Sequence, residues 1–223
     1  MRATARTIGV SPNTVNRILL DAGRAASAYH DLHVRNVRAE RVQCDEIWSF
    51  IYAKQAHLED TKAPPPEAGD VWTWTAIDPE SKLIISYLVG GRSTEFATPF
   101  MQDLAGRLTE PYPQIITDEH HPYFTAVRAA FGGFTEHETT ASNSFVERQN
   151  LTMRMSMKRF ARRTNAHSKK FENHVHMVSP YFLYYNWCRI HRTIRCTPAM
   201  EAELTKELHD MDWLAEVIEK YDC

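Results

Sequence analysis

Three acidic residues occupy positions where their side chains could bind divalent metal ions. Asp45 lies within the otherwise apolar run VQCDEIWSFIYA, Asp118 ends the run QIITD, and Glu147 lies near the start of FVERQNLTMRM. A charged residue inside an apolar strand is costly unless it is paired or binds a metal. Phosphodiester chemistry with two metal ions requires two or three converging carboxylates. We therefore interpret these three acids as candidate metal ligands.

Each aspartate has an acidic neighbour that competes for the same role. Glu46 follows Asp45, and Glu119 follows Asp118. Successive side chains of a strand point to opposite faces, so we expect only one acid of each pair to face a shared metal. The aspartates are favoured, because Asp118 ends its strand at the carboxyl edge, where ligands gather in open α/β sheets.

Glu147 has a structural alternative to metal binding. Ser144 and Glu147 form an S-x-x-E capping box, in which the glutamate would close the N-terminus of a helix. On a helical wheel, however, Glu147 begins a stripe beside the apolar face, and this stripe continues with Arg154, Lys158 and Arg162. A row of cations can follow a DNA backbone. Glu147 is therefore predicted to be the third ligand.

The segments that carry these acids follow one another in the order of an α/β domain. The predicted strands are residues 42–53, 70–78, 82–91 and 114–120. The predicted helices are residues 94–109, 121–131, a long helix from Ser144 into the basic segment, and helices near 170–190 and 198–220. Asp78 and Pro79 mark a tight turn between the second and third strands. The predicted fold class is α/β, with a mixed sheet flanked by helices.

The N-terminal residues have the pattern of the last two helices of a helix-turn-helix. A short helix leads to a turn at Gly9, and Ser11 is the predicted N-cap of a second helix with Pro12 at its first position. Gly23 is predicted to end this second helix.

The second helix divides into an apolar and a polar side. Val15, Ile18 and Leu19 are predicted to form its buried stripe, which leaves Asn13 and Arg17 exposed to contact DNA. An appended DNA-reading element is therefore expected at this end of the chain.

The net charge of −2 hides a strongly uneven distribution of charge along the chain. Residues 148–195 contain 11 lysines and arginines and a single acid, Glu172, whereas residues 42–147 contain 6 basic and 16 acidic residues. Partner preference follows the local field rather than the total charge. The basic segment predicts a surface that binds a polyanion.

The overall composition excludes several other classes of protein. No run approaches the roughly 18 to 20 apolar residues of a membrane span, and no signal peptide is evident, so a cytoplasmic protein without membrane contact is expected. The four cysteines show no C-x-x-C spacing, and His174, His176 and His191 lack the further ligands of a zinc site. No phosphate-binding glycine motif occurs, so no nucleotide cofactor is expected.

Four segments in this order resemble the insertion-sequence-1 group of bacterial DDE transposases: CDEIWSF, DVWTWTAID, ITDEHHPY and FVERQNLTMRM. The resemblance covers roughly residues 10–200. It implies an RNase H-like fold, a triad of Asp45, Asp118 and Glu147, and metal-dependent cleavage and strand transfer at the ends of the element. The later segment YYNWCRIHRT is similar to the closing helix of the family, which packs against or flanks the active site.

The resemblance also implies the cofactors and partners. Two Mg²⁺ ions are expected, with Mn²⁺ as a substitute, and a freed 3′-hydroxyl would attack target DNA after hydrolysis at the terminus. The partners are double-stranded element ends and target DNA, and the pairing of two ends implies at least a homodimer. The residues expected to hold DNA are Arg148, Asn150, Arg154, Lys158 and Arg162.

Three domains are predicted from this organisation. They are a partial helix-turn-helix with its connector (1–41), an RNase H-like catalytic domain (42–165) and a C-terminal helical extension (166–223). The chain departs from these relatives at Glu119, where they usually have glycine. The stretch between Phe131 and Ser142 is also shorter than in close relatives, which leaves a fifth strand undecided. Two other functions stay open: a structure-specific nuclease of the same fold, and an inactive DNA-binding remnant or repressor.

Overall fold

The computed structural model describes residues 1–133, 135–140 and 144–221. Its strands are β1 (Arg41–Ile51), β2 (Gly69–Ile77), β3 (Ile84–Gly90), β4 (Gln114–Thr117) and β5 (His137–Thr139). Its helices are α1 (Arg2–Ile8), α2 (Pro12–His33), α3 (Thr94–Ala105), α4 (His121–Phe131), α5 (Ser144–Ser156), α6 (Phe171–Leu183), α7 (Pro198–Glu201) and α8 (Met211–Tyr221). None of these helices, within the described part of the chain, is long and apolar enough to cross a bilayer.

The strands form one mixed sheet in the order β3-β2-β1-β4-β5. β1, β2 and β3 pair antiparallel as a meander, while β4 is parallel to β1 and β5 is parallel to β4. The predicted turn after β2 is present, because the Asp78 carboxylate accepts hydrogen bonds from the backbone N–H groups of Glu80 and Ser81 at 2.9 and 3.1 Å. The predicted α/β class, with a mixed sheet flanked by helices, is confirmed, and β5 supplies the fifth strand that was left undecided.

Two apolar layers cover the two faces of the sheet. Alternation along β1 sends Val42 and Cys44 into a layer with α2, α3, α4 and α8, whereas Ile47 enters a layer with α5 and α6. The side chains at the centre of the first layer include Trp74 and Phe100, which are fully buried. The sheet is thus held between helices, and acids on the two faces of β1 have different helices as neighbours.

The turn between α1 and α2 matches its prediction, but α2 is longer than predicted. Gly9 ends α1 in the left-handed conformation (φ 73°), and the Ser11 hydroxyl accepts a hydrogen bond from the Thr14 N–H at 3.0 Å. The prediction that Gly23 ends α2 is wrong, because the helix continues for ten further residues to His33. A Cβ at Gly23 would lie 2.2 Å from the Cβ of His176, so this glycine permits the close crossing of α2 and α6.

The predicted buried stripe of α2 is also only partly correct. Ile18 is 53% exposed, and no residue from Ser11 to Leu20 is fully buried. Burial begins at Ala22, because the first turns of α2 project beyond the layer that covers the sheet. Asn13 and Arg17 lie on this projecting part and are exposed, as predicted.

The C-terminal helices are shorter than predicted. α5 ends at Ser156, Met157 has an extended backbone (φ −123°, ψ 105°), and Lys158 lies in a separate 3-10 helix. Met157 and Phe160 are both buried beside Ile47, so the chain leaves the helix to bury them. The predicted cationic stripe therefore does not continue along one helix beyond Arg154. The predicted helix at 198–220 is divided into α7 and α8, and α6 continues into a π-helical turn at Tyr184–Cys188.

Candidate active site

The pairing of β1 with β4 brings Asp45 and Asp118 to the same height in the sheet. The last paired residues are Gln43 and Ile116, and two further residues along each strand lead to the two aspartates. One side-chain oxygen each from Asp45, Glu46 and Asp118 lies within 4.8 Å of the others. Hard divalent cations prefer such oxygen ligands. The register of two parallel strands therefore creates the acidic cluster.

Glu46 belongs to this cluster although it starts from the opposite face of β1. Its carboxylate is 1% exposed, and it accepts hydrogen bonds from the Tyr123 hydroxyl at 3.0 Å and from Arg92 Nε at 2.5 Å. β4 pairs with β1 only as far as Gln43, so the edge of β1 is open beyond this point. Side chains from both faces reach around the open edge. The expectation that only one acid of the pair could approach a shared metal is therefore wrong.

Asp45 is partly buried and has two hydrogen-bond donors. Asn150 Nδ2 donates to Asp45 Oδ2 at 2.8 Å, and the Glu46 N–H donates to Oδ1 at 2.8 Å. Burial, followed by the charges of Glu46 and Asp118, raises the pKa of Asp45 from 3.8 to about 7. Crowded carboxylates of this kind repel one another unless a cation lies among them.

A further oxygen is available beside these acids. Asn150 is buried, and its Oδ1 has no hydrogen-bond partner among the described residues. Buried polar atoms usually have a partner in protein, water or a bound ion. Three carboxylates and an adjacent amide oxygen thus form a donor set that fits divalent metal ions.

Arg92 supplies the positive charge that contacts the acids in this structure. It follows β3, donates to Glu46, and lies with Nη2 3.7 Å from Asp118 Oδ2. Asp118 also accepts a hydrogen bond from the backbone N–H of His120 at 3.0 Å, which orients its carboxylate. Glu119 is exposed and lies outside the cluster. The sequence offered no signal for Arg92, because its position depends on the loop between β3 and α3.

α5 lies along β1 on the face that carries Asp45. Gln43 Oε1 accepts hydrogen bonds from the backbone N–H groups of Phe145 and Val146 at 3.0 and 3.3 Å, so the start of the helix lies over Gln43. Ser144 is itself the first helical residue. A glutamine on β1 therefore satisfies the first donors of α5, and the capping-box alternative for Glu147 loses its support.

Glu147 is exposed and is not part of the group of oxygens within 4.8 Å. It lies about 60° around α5 from Asn150, on the flank opposite Gln149. Gln149 donates a hydrogen bond to the Tyr181 hydroxyl of α6 at 3.2 Å. The π-helical turn after α6 accepts a hydrogen bond from the Ile84 N–H of β3 through Asn186 Oδ1. The flank of α5 that carries Gln149 is therefore on the β3 side. The flank of Glu147 is therefore the one that faces β4 and Asp118.

The residues predicted to bind DNA occupy different environments. Arg148, Lys158 and Arg162 are exposed, and Arg154 is half-buried. Asn150 differs from them, because it is buried beneath α5 and bonded to Asp45. It is thus placed to orient a carboxylate rather than to lie on an open surface.

His174, one of the three histidines that lack the further ligands of a zinc site, lies in the core. Its ring nitrogens share hydrogen bonds with the hydroxyls of Ser49 and Ser168 at 3.1 and 3.2 Å. Burial, followed by the charge of Arg159, lowers the pKa of His174 to about 4. A neutral histidine with both nitrogens engaged is a structural residue.

Comparison with solved structures finds many similar chains, and three examples have low sequence identity to this protein. The catalytic core domain of BIV integrase is 17% identical with a TM-score of 0.43, over 75% of this chain and 98% of that one. The Mos1 strand transfer complex is 14% identical with a TM-score of 0.41, over 98% of this chain and 72% of that one. The Mos1 mariner paired end complex with Mn is 11% identical with a TM-score of 0.42, over 98% of this chain and 73% of that one. No curated protein sequence matches the chain.

The comparison with protein families is decisive. The family model described as IS1 transposase matches residues 41–187, from the start of β1 to the π-helical turn after α6. This match covers about two thirds of the chain and includes Asp45, Asp118 and Glu147. The chain therefore belongs to the IS1 transposase family, whose DDE enzymes act on DNA with divalent metal ions.

Proposed function

We propose that this transposase cuts the ends of its element and joins them to target DNA at the acidic cluster, with Asp45, Asp118 and Glu147 as ligands of two Mg²⁺ ions. The observation that carries the proposal is the approach of the Asp45 and Asp118 oxygens at the open edge between β1 and β4. When bound, two such ions supply the positive charge that stabilises the attacking and leaving oxygens of a phosphodiester.

The ligands have distinct positions around this edge. Asp45 lies between Asp118 on the neighbouring strand and α5, so it is the acid that can be shared. Asn150 donates a hydrogen bond to one Asp45 oxygen, and its own amide oxygen has no hydrogen-bond partner among the described residues. Glu147 lies on the adjacent flank of α5, outside the group of close oxygens, and is proposed to join the metals by a change of side-chain conformation.

Glu46 has a different proposed role. Its carboxylate is already neutralised by Arg92 and hydrogen-bonded by Tyr123, so we assign it to anchoring Arg92 beside the metals. Arg92 in turn contacts Asp118 and is placed to bind the phosphate that reacts. Glu147→Gln is therefore expected to abolish metal-dependent cleavage, whereas Glu46→Gln is expected to reduce it and to keep the response to metal.

The partners follow from the exposed cations. Arg148, Arg154, Lys158 and Arg162 are proposed to bind the phosphates of double-stranded DNA near the metals, with Asn13 and Arg17 of α2 in further contact. Because two element ends must be joined together, we expect a homodimer or larger assembly on DNA. We expect it to act in the cytoplasm, where bacterial DNA lies.

The test uses duplex DNA taken from the regions that flank the gene, with supercoiled plasmid as target. Wild type is expected to nick the duplex in Mg²⁺ or Mn²⁺ and to join precut ends to the plasmid. Asp118→Asn is expected to do neither, while Glu119→Gln, an exposed acid beside it, keeps both activities. Nicking without joining would indicate a structure-specific nuclease. DNA binding without nicking by wild type in either metal would indicate an inactive remnant.

A further inference from the structure

A groove of about 780 Å³ lies between the outer face of α5, the end of β2 at Ile77 and the β2–β3 turn at Lys82. It begins near Glu147, and its far wall is the segment that follows the π-helical turn, up to Thr193. Four large apolar side chains of the groove are exposed: Phe145 (41%), Leu151 (49%), Met155 (78%) and Ile190 (53%). Neighbouring apolar side chains left exposed in this way are typical of a binding surface.

The same groove has a strongly positive lining. Its charged residues, among the described residues that line it, are Lys82, Arg148, Arg189, Arg192 and the proposed metal ligand Glu147. Cations and rings lie close together, because Lys82 Nζ is 3.7 Å from the centre of the Phe145 ring. The groove therefore presents apolar side chains, against which flat aromatic groups can pack, next to cations that can bind anionic groups.

We propose that this groove binds an unpaired DNA strand, with phosphates on Arg189 and Arg192 and bases against Phe145 and Ile190. The proposal rests on the proposed function, since Glu147, a proposed metal ligand, also lines the groove. Proteins that bind single strands combine a positive groove with aromatic side chains on which the bases stack. The groove offers both features next to the site of strand cleavage.

Two other occupants fit the groove less well. A second copy of this chain, docked with the same face in a two-fold dimer, would bring arginines against arginines across the contact. An intact duplex keeps its bases stacked inside and presents phosphates to the protein, so it would leave the apolar lining without a partner. An unpaired strand uses both the cations and the apolar side chains.

The experiment measures binding without catalysis. Fluorescence anisotropy in EDTA compares a labelled thymidine 12-mer with a blunt duplex of the same length. Phe145→Ala is expected to weaken single-strand binding about fivefold or more and to change duplex binding by less than about twofold. Phe124→Ala is the matched control, because Phe124 is 45% exposed on α4 and outside the groove.

The charge of the groove is tested in the same assay. Arg192→Ala is expected to weaken single-strand binding and to lower the slope of log affinity against log salt by about 0.7. Arg128→Ala, an exposed arginine of α4, should leave the slope unchanged. Ile190→Ala provides a second apolar variant, and thermal unfolding identifies any variant that does not fold.

Several results would overturn the proposal. The first is unchanged single-strand binding by folded Phe145→Ala and Ile190→Ala. The second is an equal loss of single-strand and duplex binding in these variants. The third is a molecular mass of these variants in light scattering that differs from that of wild type, while their DNA binding is unchanged. The last result would assign the groove to contacts between copies of the chain. None of them would alter metal-dependent nicking by wild type or its loss in Asp118→Asn, so failure here is distinguishable from failure of the proposed function.

Discussion

Replacing Asp45 by asparagine tests whether burial, together with the neighbouring charges of Glu46 and Asp118, destabilises the ionised Asp45 carboxylate in the absence of a cation. The pKa of Asp45 rises from 3.8 to about 7, and one pKa unit corresponds to about 1.4 kcal/mol, so its ionised form destabilises the metal-free fold by about 4 kcal/mol at pH 8. Asparagine removes the charge but turns an NH₂ toward one of the two donors, which costs about 1–3 kcal/mol. We expect Asp45→Asn to be more stable by about 1–3 kcal/mol at pH 8.

The dependence on pH has a defined sign. Because the folded-state pKa of Asp45 lies above the unfolded value, its contribution to stability is fully present below about pH 4 and is lost as the pH rises through about 7. The stability advantage of Asp45→Asn over wild type should therefore grow from pH 5 to pH 8. Urea unfolding in EDTA, followed by circular dichroism at these two values, measures this difference.

The same unfolding measurement is then repeated with metal ions present. Mn²⁺ at about 100 times its dissociation constant should stabilise wild type by about 2.7 kcal/mol and should have little effect on Asp45→Asn. Glu119→Gln, which removes an exposed acid nearby, should behave as wild type with and without Mn²⁺. The reasoning is refuted if Asp45→Asn gains no stability at pH 8, or if Mn²⁺ stabilises it as much as wild type.

Three further predictions concern the packing around the sheet. Gly23→Ala should lower the free energy of unfolding by about 1–3 kcal/mol, because its Cβ would overlap α6, whereas Gly133→Ala, which has open space, should not change it. Arg107 is buried and donates hydrogen bonds to Asp103, to the His30 carbonyl of α2 and to the Val34 carbonyl that follows α2. Arg107→Met should lower the free energy of unfolding in urea by about 2 kcal/mol, a value discounted because the acidic partners are part-exposed. An unchanged midpoint would contradict this role. Because the pKa of His174 is lowered to about 4, the stabilising contribution of its neutral ring is complete above about pH 6.5 and is lost as the pH falls to 4. The free energy of unfolding of wild type should therefore fall by about 3 kcal/mol in this window. His174→Gln should lose measurably less stability over the same range.

Local pattern accounts for much of the predicted fold. The β2–β3 turn was predictable because Asp78 bonds its own backbone a few residues ahead, and such contacts need no distant partner. The cap at Ser11 was predictable for the same reason. The end of α2 was not, because Gly23 has the residue type of a helix terminus but serves an approach between helices far apart in sequence. The end of α5 likewise depends on the burial of Met157 and Phe160 against the sheet.

The sequence by itself determined which acids stand out, because a carboxylate inside an apolar run is costly and Asp45 and Asp118 each end or interrupt such a run. Only the tertiary structure decided what surrounds them. Glu46 joins the cluster because β4 stops beside Gln43, and Arg92 arrives from a loop after β3. Contacts of this kind depend on where strands end and how helices cross, and no spacing along one chain encodes the distance between them.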